Sequence, residues 1–423
     1  MTNLGLDWQQ MALPNGLRLT TVARPGTPTV AVRLYVRAGS RYDAEHTPAR
    51  SSCPPLGLAH LTEHLLFRGT QHRSQRQLFA AVEKLGGTLD ADTAKEYLCL
   101  SAVVPPQGLP TALDVLAELC TEPALREDEL PGEKAVIGEE IRQAQDRASV
   151  LFDLFAHTLW PTHPLRHPIL GQQQSLLTID MDNVRSFFRQ RFVAGNMLLV
   201  ICGHLAHEEA QALAARTLSA APRGLEQPPT TTQELPLDGK RREHLERNLQ
   251  QANVLLGVPT TDMKHPDRGA LKVIERVLGW GGSARLYQRL REEERLVYTV
   301  NTVTAHYEDA GYFAVHTSCH PSHLPRVEQA ILETWDQLRQ HGVSEEELRD
   351  AQSNYAGTLA RRFETNLALA GILGLEGLLH KVETLEEATQ RINAVTREDV
   401  LRVARKYLDV ERYVWASVGR SET

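Results

Sequence analysis

The sequence predicts an α+β protein of two similar domains, each a largely antiparallel sheet packed with helices. Strand-like and helix-like segments mix along the chain without strict alternation, which favours helices on one face of such a sheet over a doubly wound parallel sheet. Each half also opens with strand-like sequence, carries long helices and closes on a late strand. The similar order in the two halves suggests a diverged duplication.

A proline- and threonine-rich stretch separates the halves. Four prolines and three consecutive threonines lie between residues 217 and 240, and such a segment does not readily form a helix. We predict an N-terminal domain over 1–216, a linker over 217–243 and a C-terminal domain over 244–423. With 423 residues in all, each half is long enough for its own core.

Strands are predicted where β-branched and apolar residues concentrate, and helices where apolar residues recur at helical spacing. In the first half the predicted strands are 29–36, 97–104 and 197–202, and the predicted helices are 58–67, 77–85, 110–120 and 132–147. In the second half the predicted strands are 252–258, 297–303, 311–317 and 413–417, and the predicted helices are 266–278, 284–293, 325–341 and 344–361.

Composition is that of an ordinary globular protein, with 42% hydrophobic and 23% charged residues. It excludes collagen-like, disordered and small disulfide-framework proteins. The net charge of −7 argues against a dedicated nucleic-acid binder. The five cysteines are scattered and form no CxxC pair, which is typical of a reducing compartment.

We also expect a cytoplasmic protein that does not contact a membrane. The N-terminal residues lack the basic start and apolar stretch of a signal peptide. No apolar run approaches the ~20 residues that a transmembrane helix needs.

The segment GLAHLTEHLLFRG, residues 57–69, carries the motif that points to chemistry. In a helix, His60 and His64 lie within about 40° of each other, and Glu63 falls on the same side. Two imidazoles one turn apart can bind one Zn²⁺ at ~2.0–2.1 Å, and the neighbouring carboxylate is placed to deprotonate a metal-bound water. The order His-x-x-Glu-His is a metallopeptidase signature. The alternative is a surface helix with two solvated histidines.

A catalytic zinc needs a third protein ligand, and the predicted helix 132–147 offers acidic candidates. Glu133 and Glu140 lie seven residues apart and share a face, whereas Glu139 is rotated by ~100°. A solvated acidic face is the alternative interpretation of this helix.

In the motif at 57–69 and in the acidic helix that follows, the sequence resembles the pitrilysin-type inverted-zincin metallopeptidases. Its length resembles that of the short bacterial-type members. This family includes insulin-degrading enzyme and mitochondrial processing peptidase. Its third ligand is a Glu about 76 residues after the motif, and a supporting Glu lies seven residues earlier. Glu140 lies 76 residues after His64, and Glu133 lies seven before Glu140. Residues 85–93 (LGGTLDADT) and 163–171 (HPLRHPILG) agree as well.

The resemblance implies a role for each of these residues. His60, His64 and Glu140 are expected to bind one Zn²⁺ per chain, Glu63 to act as general base, and Glu133 to support a ligand from behind.

The second half resembles the same family in the segment 280–298. There the resemblance implies that Arg291 and Tyr298, seven residues apart, bind the substrate carbonyl and the developing oxyanion. An Arg and a Tyr are suitable donors for charge on a tetrahedral intermediate. A surface Arg and a core Tyr are the alternative interpretation.

Two features depart from the family pattern. Asp90 stands where the family usually has an Asn that helps to hold the substrate backbone. We expect a substrate strand to add to a sheet edge near Asp90 and Ala91, so that both residues bind substrate. Residues 46–55 look like an insertion that could form a loop at the mouth of the cleft.

The resemblance therefore implies a zinc endopeptidase that cleaves peptides or unfolded or leader segments. The chain would form half of a clamshell, and two chains would close the chamber as a homodimer or as a heterodimer with a related chain. A non-catalytic or partner-dependent subunit of a heterodimeric peptidase, which binds peptides, is the alternative. A zinc hydrolase of non-peptide bonds also stays open, although no residue pattern favours it.

Overall fold

A computed structural model describes residues 6–47, 53–145, 150–232, 234 and 236–420. The chain forms two compact units, each drawing on both halves of the sequence. Unit 1 comprises the described residues of Met1–Arg142, His167–Thr230 and Arg361–Thr384. Unit 2 comprises those of Gln143–Arg166, Thr231–Ala360 and Leu385–Thr423.

The elements are numbered in chain order. The strands are β1 (Asp7–Ala12), β2 (Arg18–Ala23), β3 (Val30–Val36), β4 (Thr88–Thr93), β5 (Leu98–Val104), β6 (Met197–Gly203), β7 (Arg241–Glu246), β8 (Ala252–Thr260), β9 (Val297–His306), β10 (Gly311–Cys319) and β11 (Val414–Gly419). The helices are α1 (Leu58–Leu66), α2 (Gln75–Glu83), α3 (Leu109–Thr121), α4 (Leu130–Gln145), α5 (Val150–Leu159), α6 (Gln173–Thr178), α7 (Met181–Arg191), α8 (His207–Thr217), α9 (Arg268–Gly279), α10 (Arg285–Tyr287), α11 (Leu324–His341), α12 (Glu345–Arg362), α13 (Asn366–Leu379), α14 (Leu385–Asn393) and α15 (Arg397–Tyr407).

Unit 1 is built on a six-stranded sheet in the order β1-β2-β6-β3-β5-β4. The strands pair antiparallel except for β2 and β6, which run parallel. Alternate residues of β3, such as Val32 and Leu34, are fully buried in a core that also takes residues from α1, α3 and α7. The sheet ends on β4, which has β5 on one side and no strand on the other among the described residues.

Helix α13 packs on β3 and β6 of unit 1. Its approach depends on glycines: a Cβ on Gly374 would lie 2.0 Å from the ring of Tyr35. The Tyr35 hydroxyl donates a hydrogen bond to the carbonyl of Gly371 at 3.2 Å. Absence of side chains at these positions lets the helix lie close over a large aromatic residue.

Unit 2 repeats the plan with a five-stranded sheet in the order β7-β11-β8-β10-β9. Only the β7–β11 pair within this sheet is parallel. One core includes residues of α9, α11 and α15. A second apolar cluster holds Phe155 of α5, whose ring meets that of Tyr312 at 5.3 Å between centroids.

The predicted fold class is confirmed, because both units pair a largely antiparallel sheet with helices. Each predicted domain is one continuous stretch of sequence. In the structure, however, each compact unit also takes a segment from the other half of the sequence. Helix α5 comes from the N-terminal half and buries apolar residues in unit 2, and α13 comes from the C-terminal half and packs in unit 1. The division into a zinc-binding half and an Arg/Tyr half stays a prediction.

In the described residues, no helix is both long and apolar enough to cross a membrane. Of the predicted insertion at 46–55, residues 48–52 lie outside the described part of the chain. Its role at the mouth of the cleft stays a prediction.

Candidate metal site and active site

The helix that carries the motif begins at a buried cap. Gly57 precedes α1 with φ of 92°, a left-handed conformation that favours glycine. The carboxylate of Asp43 accepts hydrogen bonds from the backbone N–H groups of Gly57 at 2.7 Å and Ala59 at 2.9 Å. Burial raises the pKa of Asp43 to about 8, although these N–H groups oppose the rise. The cap fixes where α1 starts, and so which way its side chains point.

Helix α1 is amphipathic. Leu58, Leu61 and Leu65 are buried in the core of unit 1, whereas the side chains of His60 and His64 are partly exposed. Their rings lie one turn apart, with centroids at 4.6 Å. The predicted spacing thus places both imidazoles on one face.

Glu140 approaches these rings from α4. Its Oε2 lies 3.8 Å from Nε2 of His60, and its Oε1 lies 3.9 Å from Nε2 of His64. The neighbouring Ile137 and Ile141 are buried, which fixes the helix. Glu139 is exposed and pairs with Arg142 on its own helix. Of the two adjacent glutamates, the structure therefore brings Glu140 to the histidines.

Glu133, one of the predicted site residues, is buried behind His64. Its Oε2 lies 2.9 Å from Nδ1 of His64, and Arg68 forms an ion pair with its other oxygen. Since a carboxylate only accepts hydrogen bonds, Nδ1 of His64 donates to Glu133, and Nε2 lies on the side of Glu140.

The donor set suits zinc. Ligand atoms of His60, His64 and Glu140 all lie within 4.8 Å of one another, the one such group among the described residues. Bonds of ~2.0–2.1 Å in a tetrahedral site would place ligand atoms about 3.3 Å apart, close to the observed 3.8 and 3.9 Å. Burial, helped by the neighbouring His64, lowers the pKa of His60 to about 4, so its imidazole is neutral and able to bind metal. The role of these residues as ligands stays a prediction.

Glu63 lies beside this group and contacts strand β4. The hydroxyl of Thr93, the last residue of β4, donates a hydrogen bond to its carboxylate. Burial raises the pKa of Glu63, and the charges of Asp92 and Asp90 raise it further, against the opposite effects of Thr93 and His64. A carboxylate with a raised pKa is a better proton acceptor for water at neutral pH.

The predicted substrate-binding residues Asp90 and Ala91 lie on β4, at the open edge of the sheet of unit 1. Asp90 is exposed, whereas Asp92 pairs with Arg33 at 2.6 Å. An open edge strand can add an extended peptide through backbone hydrogen bonds. The backbone N–H of Ala91 donates to Oδ1 of Asp90 at 2.9 Å. Strand addition at this edge stays a prediction.

Arg291 and Tyr298 lie together in unit 2. Arg291 belongs to a π-helical turn, Gln288–Glu293, that follows α10, and its guanidinium lies 4.7 Å from the centroid of the Tyr298 ring. Tyr298 is 70% exposed, so the alternative of a core tyrosine is wrong. The role of this pair towards a substrate stays a prediction.

Sequence reasoning missed three supporting residues: Asp43, Arg68 and Thr93. Thr93 ends the segment 85–93, which resembles the family, but no spacing rule links it to Glu63, 30 residues earlier. Asp43 precedes the proposed insertion, and only the fold shows that it caps α1. Arg68 lies within the motif segment 57–69, but its supporting role follows only from its ion pair with Glu133, which the sequence does not show.

Two family models match the chain. The model described as insulinase (peptidase family M16) matches residues 18–173, and that described as the peptidase M16 inactive domain matches residues 178–355. A protein named uncharacterized zinc protease from Streptomyces coelicolor is 31% identical over 411 residues, which cover 95% of this chain and 87% of the relative. The chain belongs to peptidase family M16. This confirms, at the level of the family, what the sequence resemblance implied.

Other relatives in family M16 carry similar names. An uncharacterized zinc protease from Bacillus subtilis is 29% identical and covers 96% of this chain, with 97% of its own length matched. A probable mitochondrial-processing peptidase subunit beta from Arabidopsis thaliana is 27% identical, over 96% of this chain and 77% of that protein. The named relatives are thus zinc proteases and a processing-peptidase subunit.

Solved structures agree with the fold. A structure titled as a peptidase M16 inactive domain from Pseudomonas fluorescens matches with a TM-score of 0.88 at 23% identity, over 99% of both chains. The structure of a protease from Helicobacter pylori matches with a TM-score of 0.89 at 21% identity, over 98% of this chain and 99% of that one.

Proposed function

We propose that this chain is a zinc-dependent endopeptidase that hydrolyses peptides or unfolded or leader segments. The observation that carries the proposal is the convergence of His60, His64 and Glu140 with Glu63 beside them. Two imidazoles and one carboxylate form a known ligand set of catalytic zinc, which leaves a fourth position open. Relatives that cover almost the whole chain are named zinc proteases, which supports the same conclusion.

His60, His64 and Glu140 would hold the metal, with Glu133 keeping His64 in the right tautomer. When bound, Zn²⁺ supplies a Lewis acid that acidifies water and polarises the scissile carbonyl. Glu63 accepts a proton from the attacking water and then donates it to the leaving amine.

The substrate would bind as an added strand along β4, near Asp90 and Ala91. Backbone hydrogen bonds at a sheet edge give affinity with little reading of side chains. This suits an enzyme that accepts unfolded or leader segments of varied sequence.

Arg291 and Tyr298 would stabilise the negative charge of the tetrahedral intermediate. They belong to a different compact unit from the zinc ligands. The proposed reaction thus needs two chains to close on one substrate. Closure of a chamber by two chains, like the halves of a clamshell, implies a homodimer or a heterodimer with a related chain, and one relative is named as a subunit.

A second candidate is a non-catalytic or partner-dependent subunit that binds peptides. It is favoured by the match of residues 178–355 to a model described as an inactive domain. That match lies outside the part of the chain that carries His60, Glu63 and Glu140, which falls in the match at 18–173. The intact constellation there favours the catalytic proposal.

The experiment compares Glu63→Gln with wild type and with the control Glu83→Gln, whose side chain is exposed at the end of α2. Zinc content and turnover of a quenched peptide library are measured with and without chelator. We expect Glu63→Gln to keep zinc and to lose hydrolysis by about 100-fold or more, while Glu83→Gln stays active. A fully active Glu63→Gln contradicts the mechanism. Wild-type protein that binds peptide without cleaving it supports the second candidate.

A further inference from the structure

Glu63 owes its orientation to one neighbour. Among the described residues, Thr93 is the side chain that donates a hydrogen bond to its carboxylate. A glutamate has several rotatable bonds, so a general base needs an anchor to point one oxygen at the attacking water. The bond to Thr93 occupies Oε2 and leaves Oε1 for that purpose.

The position of the Thr93 hydroxyl is fixed by the sheet. Thr93 pairs with the buried Leu98 of β5. Because side chains alternate along a strand, Leu89, Ala91 and Thr93 share one face of β4, and the first two pack against the core of unit 1. A β-branched residue in a strand also has a stiff χ1 angle. The hydroxyl is therefore presented to α1 by a rigid element.

The same strand is the open edge on which a substrate would dock. Strand β4 pairs with β5 on one side only, in the part of the chain that the structure describes. A peptide that adds to β4 would sit on the strand that holds the general base through Thr93. Substrate docking and base orientation thus share one structural element.

We propose that Thr93 is a positioning residue, whose hydroxyl orients the Glu63 carboxylate and ties it to the strand that receives the substrate. The inference rests on the proposed peptidase function. The hydroxyl of Thr93 donates to Glu63, which is not among the predicted zinc ligands, so Thr93 acts through Glu63. Loss of its hydroxyl should therefore lower kcat and leave zinc content and KM almost unchanged.

The test compares Thr93→Val, which keeps the shape and branching, with Thr93→Ser, which keeps the hydroxyl. Thr121→Val is the control, because that hydroxyl donates to a carbonyl of its own helix α3. Zinc content, kcat and KM for a quenched peptide are measured for all three and for wild type. We expect kcat of Thr93→Val to fall by about 10- to 100-fold, with zinc and KM within about twofold, and Thr93→Ser and Thr121→Val to stay near wild type.

Crystal structures of zinc-free wild type and Thr93→Val give a readout that does not depend on activity. We expect the Glu63 carboxylate to leave its wild-type orientation in the variant. Wild-type kcat in Thr93→Val, an equal loss in Thr93→Ser, or an unmoved Glu63 overturns the proposal. Wild-type protein without zinc-dependent hydrolysis overturns the proposed function instead, and the crystallographic comparison still decides whether Thr93 orients Glu63.

Discussion

Nδ1 of His64 lies 2.9 Å from Oε2 of Glu133, which is itself almost fully buried and ion-paired with Arg68. This contact decides which nitrogen of His64 is free. A histidine held in this way offers its other nitrogen to a metal without having to reorient.

We predict that Glu133→Gln weakens zinc binding by about 10-fold or more, because the amide lacks the charge that orients and polarises His64. The measurement is competition for zinc with a chromogenic chelator. Glu127→Gln serves as control, since Glu127 is exposed just before α4. Equal zinc affinity in the two variants would show that Glu133 has no influence on the site.

Asp90 offers a test of charge at the open edge of β4. It is exposed and lies one residue from Ala91 in the proposed docking strand, so a cationic side chain opposite it would be attracted. Cross-strand charge pairs contribute roughly 0.2–1 kcal/mol. We expect Asp90→Asn to reduce the preference for a Lys-containing over a matched Gln-containing peptide by about two- to fivefold in kcat/KM.

Added salt supplies the control for this prediction. The preference of wild type should shrink at high ionic strength, whereas that of Asp90→Asn should hardly change. An unchanged Lys-to-Gln ratio in Asp90→Asn at low salt would exclude a charge role for Asp90.

Acid sensitivity of unit 2 follows from His306 at the end of β9. Its Nδ1 donates to the carbonyl of Thr261 at 3.0 Å. Burial lowers its pKa from 6.5 to about 4, an effect that Arg268, Lys272 and Arg391 increase and the Thr261 bond opposes. Between pH 6.5 and pH 4, His306 is protonated in the unfolded chain but stays neutral in the folded chain. Its contribution to the free energy of unfolding is therefore fully present above pH 6.5 and is lost as the pH falls towards 4.

We predict that this one group removes about 2–3 kcal/mol of stability between pH 7 and pH 4.5. His306→Gln keeps a donor for Thr261 and cannot titrate, so its stability should fall less over that range. Urea unfolding at a series of pH values measures the difference, with the exposed His341→Gln as control. Parallel stability curves for wild type and His306→Gln would show that His306 is not the source.

Much of the candidate site could be predicted because it depends on local periodicity. His60 and His64 lie one turn apart whatever surrounds them, and the shared face of Glu133 and Glu140 follows from their seven-residue spacing. The choice between Glu139 and Glu140, by contrast, needed either the family resemblance or the structure. Contacts across long sequence separations, such as Thr93 with Glu63, follow from strand register and helix placement.

The exchange of α5 and α13 between the units shows the same limit on the scale of the fold. The sequence of α13, with glycines at 371, 374 and 377, suits close packing against some surface. Nothing local identifies that surface as Tyr35 and its strand, more than 330 residues earlier. Periodicity predicts which face of an element is buried, but it does not say which unit the element joins.

Two adjacent glutamates on α4 test most directly whether His60, His64 and Glu140 bind one zinc ion. We predict that Glu140→Gln weakens zinc binding by about 100-fold or more, because it removes a charged ligand. Glu139→Gln, which alters an exposed side chain one residue away, should retain one zinc per chain. Full zinc occupancy in Glu140→Gln, or loss of zinc from Glu139→Gln alone, would show that Glu140 is not a zinc ligand.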